Sequence, residues 1–125
     1  MSGVTFDAGG LIALDRNDRR VIALLARAEE IGARITVPAT ALAQAMRRPA
    51  RQVRLSRLVR QPKTSLVPLD GPDATNVGIL LAASRTTDIS DAHVVICARR
   101  NGEPIVTSDP DDLELLDPGV RVIVV

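Results

Sequence analysis

The sequence predicts an α/β sandwich with a mostly parallel central sheet of about five strands, in one domain over residues 1–125. Three observations predict it. Short apolar runs alternate along the chain with segments whose apolar residues recur at helical spacing. The chain closes on the unbroken Val122-Ile123-Val124-Val125, the pattern of a strand covered on both faces. Acids stand at the ends of the apolar runs, at the sheet edge where open α/β folds bind ligands. A chain of 125 residues is near the commonest domain size and can bury a real core.

In order, residues 4–6 form a first strand ending at Asp7, and Ala8-Gly9-Gly10 turns into a short helix at Leu11. Asn17 is a capping candidate for a helix carrying Val21, Leu24, Leu25, Ala28 and Ile31, stopped by Gly32. Residues 33–37 read as a second strand closed by Pro38. Residues 40–48 start a helix that Pro49 interrupts, and residues 50–60 resume it. Residues 64–69 are the third strand, and Asp70-Gly71-Pro72-Asp73 caps a helix running through Ala83. The segment from Asp88 to Asp91 opens another helix, with Ala92, Val95 and Ile96 as its apolar face and Asn101-Gly102 as its stop. Residues 105–107 are the fourth strand. Asp109-Pro110 then starts a short helix to Leu116, with Asp109 at the cap, before a last strand over residues 120–125.

Composition narrows the chemistry. Charged residues make up 25% of the chain and hydrophobic ones 46%, an ordinary globular balance that argues against disorder. Phe6 is the only aromatic, so stacking of bases on aromatic platforms is excluded as a main binding mode. A net charge of +1 does not announce a polyanionic partner, although every cation but Lys63 is an arginine. Arg54, Arg57 and Arg60 share one face of their helix, a solvated face or one suited to RNA phosphates. Cys97 stands alone, so an internal disulfide is impossible and a reducing cytoplasm is the expected location. No membrane-spanning stretch or leader pattern is present, and no membrane partner is expected.

The acids carry the strongest signal. Asp7 ends the first strand and Asp109 the fourth, Asp112 follows Asp109 by three residues, and Asp91 begins a helix returning to the sheet. Two carboxylates about 4 Å apart repel by about 4 kcal/mol at an effective dielectric near 20, so such a group needs a cation or protons. An oxygen-only donor set favours Mg2+ or Mn2+ over zinc. The competing reading, that Asp88, Asp91 and Asp109 merely cap helices, is weakened by their joint placement. Asp88 and Asp111 are assigned to capping or solvent. His93 is read as a residue on the helix surface or flank with no second His or Cys at ligand spacing, and Ser90 and Ser108 lack a partnering base.

The segments VTFDAGGLIAL, VPATALAQAMR, DAHVVICARRNG and IVTSDPDDL, in this order, resemble a PIN domain, and specifically the VapC toxins of bacterial toxin–antitoxin pairs. The resemblance covers essentially the whole chain. It implies a PIN-like three-layer α/β/α fold and a metal-dependent ribonuclease whose metal-binding, catalytic acids are Asp7, Asp91, Asp109 and Asp112. Thr107 and Ser108 would then hydrogen-bond the phosphate or a metal-bound water. The implied partners are RNA, a cognate VapB-type antitoxin and a second copy in a homodimer, with partner contacts on the helices of residues 17–60. The chain departs from the family at Gln44, where a glutamate is usual; its amide can accept a bond from a metal-bound water but adds no charge. A catalytically silent binding module is therefore the alternative. A phosphoacceptor receiver domain fits poorly, because Lys63 precedes the third strand instead of ending a late one.

Overall fold

The computed structural model describes residues 3–125. Five strands, β1 (Gly3–Phe6), β2 (Arg34–Pro38), β3 (Thr64–Val67), β4 (Ile105–Thr107) and β5 (Val122–Val124), form one sheet in the order β3-β2-β1-β4-β5. Every pairing is parallel. The helices are α1 (Ala8–Asp15), α2 (Arg19–Ile31), α3 (Ala39–Ala45), α4 (Val53–Val59), α5 (Gly71–Ser84), α6 (Ile89–Asn101) and α7 (Pro110–Leu116). From β1 the chain steps outward through β2 to β3, then crosses back to β4 and on to β5. Right-handed crossovers in opposite directions place α1, α2 and α4 on one face of the sheet and α5–α7 on the other, with α3 packed against both α1 and α6. The result is the α/β sandwich that the alternation predicted, in the three-layer α/β/α form that the resemblance implied. Its topological switch point lies between β1 and β4.

The core is aliphatic. Phe6, Leu11, Val37, Val94, Val95, Ile105, Val106 and Leu113 are fully buried, and α1 and α6 supply much of the helical side. Gly10 lets α1 sit directly on β4: a Cβ there would meet the Val106 carbonyl and the Phe6 ring. At the amino end of the sheet Glu103 is buried, and its Oε1 accepts hydrogen bonds from the hydroxyls of Thr5 (2.9 Å) and Thr36 (2.8 Å). Arg34 lies 3.6 Å from its other oxygen. This carboxylate ties β1 to β2 far from the carboxyl edge.

Several local expectations need correction. Asp18, not Asn17, caps α2, accepting from the N–H groups of Arg20 and Val21. Asn17 takes a left-handed φ of 61° and makes the turn from α1, a conformation asparagine tolerates better than most residues. Helix α3 stops at Ala45 because the Gln52 side chain accepts the Arg47 and Arg48 N–H groups, folding residues 46–52 into a turn. β5 is not covered on both faces: it is an edge strand, and Val124 is half exposed. His93 is the largest departure, being completely buried. Helix α6 packs against the sheet, α3, α5 and α7, so the run of residues 92–98 is interior on nearly every side and has no single apolar face.

Candidate metal centre at the sheet switch point

Each acid is positioned by a different element. Asp7 leaves the end of β1 and caps α1, its Oδ1 accepting the Gly10 N–H at 2.7 Å. Asp91 sits in the first turn of α6. It is not the cap: Asp88 is, and it accepts the Asp91 N–H at 2.9 Å. Asp109 occupies the position before α7, yet its side chain makes no capping hydrogen bond. Asp112 follows one turn later and is exposed. Capping thus accounts for Asp88 and for one oxygen of Asp7, and leaves the carboxylates of Asp91 and Asp109 unexplained as structural devices.

The four acids act on one another electrostatically, although among the described residues no three of them bring carboxylate oxygens within 4.8 Å of one another. The Asp91 carboxyl is pushed up to about 7, first by burial and then by the negative charges of Asp88, Asp7, Asp112 and Asp109. Asp7 is raised by burial and by Asp109, against the lowering effect of hydrogen bonds from Thr107, Gly10 and Gly9. Asp112 is raised chiefly by Asp109. Among the described residues no salt bridge joins any of the four to a cation. The donor set is therefore all oxygen, crowded with negative charge and lacking a protein counter-charge, which fits a hard divalent cation. Asp7 and Asp109 follow β1 and β4, neighbouring strands from which the chain runs on in opposite directions, the ligand crevice of an open parallel sheet.

The remaining sequence candidates divide. Thr107 is fully buried; its hydroxyl accepts the Asp109 N–H at 3.0 Å and lowers the Asp7 carboxyl, so it bears on two of the acids. Ser108 is exposed, and its hydroxyl packs against Gly9 where any larger residue would collide. Gln44 is exposed on the last turn of α3, and no described hydrogen bond joins it to the acids. It lines a cleft of about 480 Å3 with Ile12, Asp15 and the arginines Arg16, Arg47, Arg48 and Arg51. Arg54, Arg57 and Arg60 are exposed on α4, opposite the buried Leu55 and Leu58. The sequence reading overlooked the cleft arginines because they fall in a turn, where no periodicity marks a face.

No protein-family model matches the chain, and no curated protein matches it. Solved structures do. FitAcB from Neisseria gonorrhoeae superposes with a TM-score of 0.63 over 96% of each chain at 15% identity. VapBC2 from Rickettsia felis, bound to a DNA fragment from their promoter, superposes with a TM-score of 0.71 over 98% of each chain at 11% identity. The chain has a PIN-like fold. At these identities the likeness is one of fold. It agrees with the sequence resemblance, since the second neighbour is a VapBC complex.

Proposed function

We propose that this protein is the toxin of a toxin–antitoxin pair, an endoribonuclease that hydrolyses RNA phosphodiester bonds with Mg2+ or Mn2+ and is silenced by a cognate VapB-type antitoxin. The observation that carries the reading is the mutual charge coupling of Asp7, Asp91, Asp109 and Asp112 around the switch point, with no salt bridge to an arginine or lysine among the described residues. These four residues would hold the cation. A bound divalent ion there supplies an acidified water and charge stabilisation at the scissile phosphate. The Gly10 N–H fixes one oxygen of the Asp7 carboxylate, so its geometry is set before the cation arrives. Asp91 carries a proton for much of the time near neutrality, and cation binding must expel it. Arg16, Arg47, Arg48 and Arg51 around the cleft, and Arg54, Arg57 and Arg60 on α4, give RNA phosphates a cationic approach.

Partners are proposed on the same footing. Exposed Ile22 and Ile31 on α2 and Val53 on α4 leave apolar surface on the helices where the resemblance locates antitoxin and dimer contacts. No described helix is long and apolar enough to cross a membrane, and the proposed location is the cytoplasm.

The test uses protein freed of antitoxin and supplied with Mg2+ or Mn2+. Structured RNA should be cleaved, and Asp7→Asn should abolish cleavage. Equal cleavage by Asp7→Asn overturns the assignment. The exposed Gln44 favours one competing reading, a silent binding module; metal binding without cleavage by the parent protein would select it.

A further inference from the structure

A second group of ligand-type side chains lies inside the protein, between α5 and α6. Asp73, His93 and Cys97 each offer one donor atom, and the three atoms lie within 4.8 Å of one another. All three residues are buried: His93 is 0%, Cys97 1% and Asp73 4% exposed. His93 and Cys97 are four residues apart on α6, on one face of the helix, and Asp73 faces them from the first turn of α5.

The orphaned nitrogen of His93 gives the cluster its meaning. Its Nδ1 is 2.8 Å from the Thr40 hydroxyl, which fixes the ring. Its Nε2 is buried without a hydrogen-bond partner. The nearest Asp73 oxygen, Oδ2, is 3.6 Å away, too far for a hydrogen bond. That separation is close to the edge of a tetrahedron around zinc, about 3.4 Å for ligands about 2.1 Å from the ion. The other oxygen of Asp73 is held by Arg100, leaving Oδ2 for a second partner. The outer contacts are those of a metal site: a hydroxyl on the far nitrogen of the histidine and a guanidinium on the far oxygen of the carboxylate.

We propose that Asp73, His93 and Cys97 form a buried site for a borderline-soft divalent cation of the zinc type, distinct from the acids at the β1/β4 crevice. A thiolate, a carboxylate and a neutral imidazole around a divalent ion sum to zero charge, which suits an interior position. The mixed sulfur, nitrogen and oxygen donors select zinc or cobalt over magnesium. Binding requires the Cys97 thiol to lose its proton to solvent, and the thiolate then bonds to the metal. Without an ion, burial pushes the Cys97 thiol up to about 11, with smaller raising effects from Asp73 and Glu103 and a lowering one from Arg100, and burial pushes His93 down against the opposing effect of Asp73. The bound ion would join α5 to α6 and, through Thr40, steady the start of α3.

The test is to produce the full chain in zinc-depleted medium supplemented with cobalt(II) and record its absorption spectrum. The expected result is a thiolate-to-cobalt charge-transfer band in the near ultraviolet, with intense visible bands of four-coordinate cobalt at one ion per chain. Cobalt held only by the crevice carboxylates would give neither. Zinc should displace the signal, Cys97→Ser should remove the charge-transfer band, and Asp7→Asn should leave it unchanged. Elemental analysis of parent protein from ordinary medium should find bound zinc at about one ion per chain. Absence of the charge-transfer band from folded parent protein, or its persistence in Cys97→Ser, overturns the proposal whatever the outcome of the RNA cleavage assay. Should Cys97→Ser fail to fold, His93→Gln supplies the comparison: cobalt affinity should drop at least tenfold, and unchanged affinity overturns the site.

Discussion

Replacing Asp91 by asparagine should stabilise the cation-free protein above neutral pH, and the size of the gain can be worked from the site. The Asp91 carboxyl is pushed to about 7 in the folded protein by burial and by Asp88, Asp7, Asp112 and Asp109. In the unfolded chain it titrates near 3.9. Between these values the folded state holds a proton that the unfolded state has released, so stability contributed at low pH is lost as pH rises towards 7. A shift of about three units corresponds to about 4 kcal/mol. Asp91 is only partly buried, and solvent screening reduces this to about 2 kcal/mol. Asparagine has no proton to lose. In chelator, Asp91→Asn should therefore exceed the parent by about 2 kcal/mol at pH 8 and match it below about pH 4. Denaturant melts of both proteins across this range measure the difference. Mg2+ should then favour the parent, because the ion binds the ionised carboxylate, and its affinity should rise with pH through about 7. A gap that is independent of pH, or an asparagine variant less stable at pH 8 without metal, would refute the crowded-carboxylate reasoning.

Three further outcomes are expected. Glu103→Ala should cost about 2–3 kcal/mol in chemical denaturation, because the hydroxyls of Thr5 and Thr36 lose their buried acceptor, while leaving metal affinity at the opposite edge unchanged. Gly10→Ala should cost about 1–3 kcal/mol, since its Cβ would press on the Val106 carbonyl and α1 would have to lift from β4; a melting temperature equal to the parent's would contradict that contact. Gln44→Glu should tighten Mg2+ binding several-fold, about 1 kcal/mol for one added charge acting across solvent, and unchanged affinity by calorimetry would assign Gln44 to the arginine cleft alone.

The sheet was legible because the first four strands are short runs that stop at Asp7, Pro38, Pro68 and Ser108-Asp109, signals that act locally. The strand order was not legible, since β3-β2-β1-β4-β5 depends on crossover direction, which no residue states. The same limit explains β5, whose apolar sequence reads as interior although the order makes it an edge. Two of the four acids were legible as strand-end residues, and the geometry separates Asp91 from a cap in a way spacing alone could not: Asp88 and Asp91 are three residues apart and of the same type, but only Asp88 bonds the helix start. His93 was misread because a helical wheel assumes one buried face, and α6 is enclosed by the sheet and three helices. The available signal was Cys97, one turn after His93 on the same helix. Asp73 was hidden for a different reason: it shares a capping segment with Asp70, which is the actual cap.

The two halves of α6 also explain why the crevice can tolerate its own repulsion. Residues two apart on a helix point about 200° apart, so Asp91 and His93 leave opposite sides of the first turns. One side delivers a carboxylate to the β1/β4 crevice, and the other anchors in the interior against Thr40 and Asp73. Crowded acids push their carriers apart, and relaxation would be easiest where a helix end is free to shift. Here the end of α6 is held by the Asp88 cap, by the buried residues 92–95 and by the His93 contacts to α3 and α5. The strain is then borne by protonation of Asp91, not by movement of the helix, and the crevice stays assembled for a cation.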